Sequence, residues 1–124
     1  MNVLLSIKPE FAFKIFDGTK KFEFRKSIFK QKNIKKVFVY ASSPIQQVIG
    51  EFEIENIIFD STEKVWSLTK KHSGISKQFY DKYFENKEKA FAIEVGAKKK
   101  YVTPKLLSDF NLNYAPQSFA YVIT

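Results

Sequence analysis

The sequence predicts an α+β domain: a small β-barrel of about six strands with helices packed at its ends. Three observations predict it. Short apolar or alternating runs, rich in phenylalanine and β-branched residues, recur along the chain as strand candidates. Amphipathic stretches with helix start and stop residues lie between them. The length of 124 residues suits one domain, so residues 1–124 read as a single unit able to bury a core without metals or disulfides.

The elements follow in order. Val3–Ile7 (Val-Leu-Leu-Ser-Ile) reads as a short buried strand. Pro9 fits the first turn of a helix, where its missing N–H costs nothing, and Phe11, Ala12, Ile15 and Phe16 form the apolar stripe. Gly18 stops that helix. Residues 20–26 alternate, with Phe22 and Phe24 on one face and Lys21, Glu23 and Arg25 on the other. Residues 35–41 are a third strand, ended by Ser42-Ser43-Pro44. Over 46–58, Val48, Phe52 and Ile54 oppose Glu51, Glu53 and Glu55. Asp60-Ser61-Thr62-Glu63 resembles a capping box opening a helix to about Lys71. Gly74 breaks the chain, and Ser76 starts a helix to about Asn86. Phe91, Ile93 and Val95 suggest a strand, followed by Lys98–Val102, a helical turn after Pro104 and a last strand over Ser118–Ile123.

Composition narrows the function classes. No cysteine is present and His72 is the only histidine, which excludes thiolate chemistry and leaves no ligand set for structural zinc. No metal or cofactor is expected. No apolar run has the length of a membrane span, and the N-terminus lacks the pattern of a signal peptide, so a cytoplasmic protein without membrane partners is expected. The net charge of +8 and the pI near 9.6 favour a polyanionic partner, nucleic acid first. Among 21 basic residues Arg25 is the only arginine. In a chain so biased to lysine, that single guanidinium points to a specific task.

The most specific feature is Gly18-Thr19-Lys20-Lys21-Phe22-Glu23-Phe24-Arg25. Glu23 and Arg25 share a strand face, with Cα atoms about 6.5–7 Å apart. A guanidinium there can grip a phosphate or base edge with two parallel bonds, and a carboxylate can accept from an exocyclic amine or a ribose hydroxyl. An ordinary surface ion-pair ladder would use the same residues. Lys20 joins the other two only if the strand begins at Lys21 or twists strongly. Opposite charges side by side should keep Lys20 and Glu23 ionised, which suits an electrostatic clamp better than a tuned acid–base pair.

These eight residues match the G-x-K-x-x-E-x-R signature at all four fixed positions, and the chain resembles the ASCH domain family, whose fold is PUA-like. The flanking segments agree in order: Leu5-Ser6-Ile7-Lys8-Pro9, Tyr40-Ala41-Ser42-Ser43-Pro44, Gly50-Glu51-Phe52 and Pro116-Gln117-Ser118-Phe119. The resemblance implies a cleft between barrel and helix that takes RNA or a nucleotide, with Lys20, Glu23 and Arg25 in it. Ser6, Lys8, Tyr40, Ser42, Ser43, Gln117 and Ser118 are the implied neighbours, with Tyr40 as a stacking aromatic. It also implies an alternative, a small hydrolase acting on RNA or on a modified nucleoside such as acetylcytidine. There Lys20 would be base or nucleophile and Glu23 the proton carrier. In the amidohydrolase pattern of lysine, threonine and glutamate, Lys20 fits. Glu23 stands where the threonine belongs, and the distal glutamate falls near Ser76.

Other features read as structural. Thr62–Glu85 imitates a DNA-binding helix-turn-helix, as in a transcriptional regulator. Its second helix, however, carries Phe79, Tyr80, Tyr83 and Phe84 as a packing face, so DNA is not the expected partner. His72 sits near a helix end, where it favours the dipole. Glu51, Glu53 and Glu55 are too spread along one strand to hold a metal and should face lysines such as Lys35 or Lys21. Lys98-Lys99-Lys100 reads as a solvated turn. The oligomeric state is left open.

Overall fold

The computed structural model describes residues 1–124. One six-stranded sheet organises them: β1 (Asn2–Ile7), β2 (Phe22–Arg25), β3 (Lys36–Ala41), β4 (Gln47–Ser61), β5 (Lys89–Lys105) and β6 (Phe119–Val122). The spatial order is β2-β5-β4-β3-β1-β6. Only β1 and β3 run parallel, joined through α1 (Pro9–Asp17), as a parallel crossover requires. The other helices are α2 (Thr62–Thr69) and α3 (Lys77–Tyr83), with short 3₁₀ turns at Lys70–His72 and Leu107–Phe110.

Core packing follows the strand faces. One face buries Val3, Leu5, Ile7, Val37, Val39 and Ile93 against Ala12 and Ile15 of α1. The other buries Leu4, Phe38, Tyr40, Val48 and Tyr101 against Phe110. A third cluster sets Phe22 and Phe24 of β2 on Val65 of α2, on Tyr80 of α3 and on Phe84 just beyond it. Tyr80 and Phe84 meet the Phe24 ring edge-on, at 5.3 and 6.3 Å between centroids. The helix pair after Ser61 therefore packs one face on β2. No helix is long and apolar enough to cross a membrane.

The α+β class holds, but the expected barrel is not closed. β2 and β6 remain the two ends of the sheet. Other groups meet β2 where a closing strand would lie: Lys21 N–H, just before the strand, donates to the His72 carbonyl at 2.8 Å, and the Tyr83 hydroxyl donates to the Phe24 carbonyl at 3.4 Å. Other differences are local. Residues 89–105 form one continuous strand, so Lys98–Lys100 are exposed strand residues, not a turn, paired with Gly50–Phe52 of β4. Ser61, not Asp60, caps α2, its hydroxyl accepting from Lys64 N–H at 3.1 Å. Glu51 pairs with Lys36 at 2.9 Å, not with Lys35 or Lys21, and accepts from Tyr101. α3 stops at Tyr83, and Asn86 beyond it adopts φ 66°.

Candidate functional site

Lys20 owes its position to the end of α1. Gly18, at φ 90°, caps the helix in the left-handed region that a side chain would resist. The chain then turns, with Lys20 N–H donating to the Lys14 carbonyl, and β2 starts only at Phe22. Lys20 thus precedes the strand and escapes its alternation, which is how it joins Glu23 and Arg25. Gly74, at φ 70°, lies directly on the Lys20 side chain; a Cβ there would stand 2.5 Å from Lys20 Cβ.

The lysine is 2% exposed. Its Nζ donates to the Ser73 carbonyl at 2.9 Å and sits 4.7 Å from the Phe24 ring centroid and 5.5 Å from that of Phe11. Burial among these groups disfavours the ammonium and brings the pKa down to about 8, helped by Lys14 and opposed by Glu23. Glu23 does push the lysine's pKa up, as its charge predicts, but the expected net rise is corrected to a fall. Desolvation exceeds the attraction, because the carboxylate is already neutralised by Arg25.

Arg25 spans the gap in the sheet. Nε donates to Glu23 Oε2 at 3.0 Å, Nη1 to Ser118 Oγ at 3.1 Å and to its carbonyl at 3.4 Å, and Nη2 to the Ser6 carbonyl at 2.9 Å. β2 is thereby linked to β1 and to the start of β6 by a side chain where a barrel would use a strand ladder. Four of the roughly five guanidinium N–H groups are committed to protein acceptors.

These residues line one cavity of about 380 Å³, within the range of small-molecule sites. Lys20, Glu23, Arg25, Ser6, Lys8, Ser42 and Gln117 all border it. Lys8 and Gln117 are exposed, whereas Glu23 and Arg25 are buried. Ser6 is committed elsewhere, its hydroxyl donating to the Pro116 carbonyl at 2.7 Å. Ser118 stands behind the wall as an Arg25 partner, and exposed Ser43 does not line the cavity. Tyr40 does not either. It is 4% exposed in the cluster on the opposite face of the sheet, so the stacking role is not available to it.

The aromatic walls come instead from the helices. Phe11 of α1 and Phe79 of α3 meet edge-on at 5.2 Å, and Tyr83, Phe24, Ile75 and Ile7 complete the lining. α3 and its C-cap residue Phe84 carry two i, i+4 aromatic pairs: Tyr80 and Phe84 pack on β2, while Phe79 and Tyr83 border the cavity. The exposure of Phe79, 39%, separates the two. Burial raises the Tyr83 pKa, so its hydroxyl stays protonated. The site combines a buried amine, a buried carboxylate and aromatic walls, with a lysine at the rim.

Comparison with known proteins places the whole chain in a family. The ASCH domain family matches residues 5–99. A Ureaplasma parvum protein named large ribosomal subunit protein uL22 is 33% identical over 121 residues, 98% of this chain but 39% of that protein. This chain thus spans about two-fifths of that relative's length. An ASCH domain-containing ribonuclease of Zymomonas mobilis is 36% identical over 91 residues, covering 73% of this chain and 62% of the ribonuclease. The crystal structure of ASCH from Zymomonas mobilis superposes with a TM-score of 0.89 at 30% identity, over 98% of this chain and 87% of that one. The N-terminal domain of Staphylothermus marinus McrB, at 14% identity and a TM-score of 0.51, shares the fold alone. The family match over residues 5–99 and the superposition lead to one conclusion: the chain belongs to the ASCH domain family.

Proposed function

We propose that the cleft binds RNA or a nucleotide, one unit at a time, between the helices and the open seam of the sheet. The observation that carries this reading is the convergence of Lys20, Glu23 and the ring of Phe79 on one cavity of about 380 Å³. Aromatic faces take bases without regard to sequence, and buried charged groups supply directional hydrogen bonds. The net charge of +8 favours a phosphate-bearing partner, and exposed Lys8 at the rim is placed to meet one. The ribonuclease name of the Zymomonas mobilis relative also points toward RNA. Arg25 serves here as a positioning residue, since its donors already hold Glu23, Ser6 and Ser118.

A second reading, RNA cleavage, is favoured by one specific observation. With a pKa near 8, roughly one Lys20 in ten is a neutral amine at pH 7. A neutral amine can take the proton of a ribose 2′-hydroxyl as that oxygen attacks the adjacent phosphorus, forming a 2′,3′-cyclic phosphate while the 5′-oxygen departs as a hydroxyl with a proton from water. One experiment tests both readings: single-stranded RNA and acetylcytidine are incubated with the protein and with Lys20→Ala, while binding and products are followed. The binding reading expects RNA affinity that the variant loses, with little or no turnover. Robust turnover that disappears in Lys20→Ala would transfer the site to the hydrolase reading. Absence of any RNA or nucleotide binding would defeat both.

A further inference from the structure

Glu23 offers an acceptor that the protein does not use. Its Oε2 accepts from Arg25, its side chain is 9% exposed, and Oε1 has no hydrogen-bond partner. Every side-chain polar atom sealed from the surface does have a partner, so the free Oε1 opens to the cavity that Glu23 lines. Lys20 spends one N–H on the Ser73 carbonyl and keeps two of an ammonium's three donors. The two side chains make no ion pair with each other, because each is held from behind by a different partner. The cavity floor therefore presents a fixed donor beside a fixed acceptor.

Resting on the nucleotide reading of the cleft, we infer that an unpaired nucleobase enters by its Watson–Crick edge, with Lys20 donating to a ring nitrogen or carbonyl and Glu23 accepting from the neighbouring N–H, while phosphate stays at the rim. Each of the four bases carries an acceptor next to an N–H donor on that edge. A phosphate offers acceptors only, and on the floor its charge would face the Glu23 carboxylate. The Arg25 guanidinium that would attract it is already engaged. Phe11, Phe79 and Tyr83 line the cavity where the flat faces of a base need apolar contact. In a duplex the same edge is occupied by the pairing partner, so the cleft selects single strands or extruded bases.

The test titrates the protein with the four ribonucleosides, their Watson–Crick-edge N-methylated forms and ribose 5-phosphate, followed by NMR shifts of residues around the cavity. The expected result is binding of at least one nucleoside without any phosphate, about tenfold weaker binding of its methylated form, and no competition from ribose 5-phosphate. Glu23→Gln should keep an oxygen for Arg25 and turn an NH2 toward the cavity, replacing acceptor by donor. It should cost about tenfold in nucleoside affinity in a variant whose native fold is confirmed by its NMR spectrum. Some stability is lost as well, because the buried Arg25 loses its counter-charge. Equal binding of the methylated forms, full affinity in a folded Glu23→Gln, or displacement by ribose 5-phosphate overturns base-edge recognition while leaving a nucleotide site in place. If no nucleoside, nucleotide or RNA binds, the cleft reading itself falls and takes this inference with it.

Discussion

Lys20 is a charge kept where the protein alone would be better without it. Lowering its pKa from 10.5 to about 8 corresponds to roughly 3 kcal/mol of unfavourable burial. Below pH 8 both folded and unfolded chains carry the proton and the full penalty applies. Between about pH 8 and 10.5 the unfolded chain holds more protons on this group than the folded one, so stability rises with pH. Above that range both forms are neutral and the penalty is gone. Lys20→Met replaces the ammonium with an apolar chain against Phe11 and Phe24, but leaves the Ser73 carbonyl without this donor. The net expectation at pH 6.5 is a gain of about 1–2 kcal/mol, together with loss of ligand binding. Urea denaturation of parent and variant at pH 6.5 and pH 9.5 measures it. A stability difference that does not shrink at the higher pH would show that Lys20 is not held in a disfavoured charge state.

At the level of elements, Arg25 takes the place of a strand ladder. β2 meets β1 and the start of β6 through its guanidinium, and Glu23 depends on it for charge balance. Arg25→Lys keeps the charge but loses the planar fork, so the Ser6 and Ser118 acceptors cannot all be met by one ammonium. The expected cost is about 2–4 kcal/mol of stability. Amide hydrogen exchange should become faster in Phe119–Val122 and Phe22–Arg25 before it changes in β4. Unchanged exchange at both ends of the sheet would reduce Arg25 to a local partner of Glu23. The seam also marks where sequence reasoning fails. Strand positions are legible because Phe22-Glu23-Phe24-Arg25 alternates and because Gly18 and Ser61 bound their helices. Closure is not, since whether β2 meets a sixth strand or the His72 carbonyl is decided by the path of distant chain. Tyr40 is misplaced for a related reason. Val37 to Ala41 are all buried, so no alternation indicates which face each side chain takes. The pairs Tyr80/Phe84 and Phe79/Tyr83 have the same i, i+4 spacing, and only packing distinguishes wall from core.

For the whole molecule, the signature and the excess of lysine act over different distances. In the proposed reading the buried groups at the cavity floor contact the base, but they are too enclosed to draw a polyanion from solution. Attraction at longer range belongs to the exposed lysines, which give the chain its net charge of +8. These two contributions separate by their response to salt. Each phosphate neutralised on a single strand contributes roughly 0.7 to the slope of log affinity against log salt. A strand that seats one base in the cleft and contacts at least two phosphates should therefore show a slope of about −1.4 or steeper. An uncharged nucleoside meeting only the floor should show almost none. Titrations of a short single-stranded RNA and of the free nucleoside, across the same series of salt concentrations, make the comparison. A flat RNA response would mean that the lysine excess takes no part in binding. An equally steep nucleoside response would mean that salt acts on the protein itself. RNA binding absent even at the lowest salt would remove the nucleic-acid partner altogether.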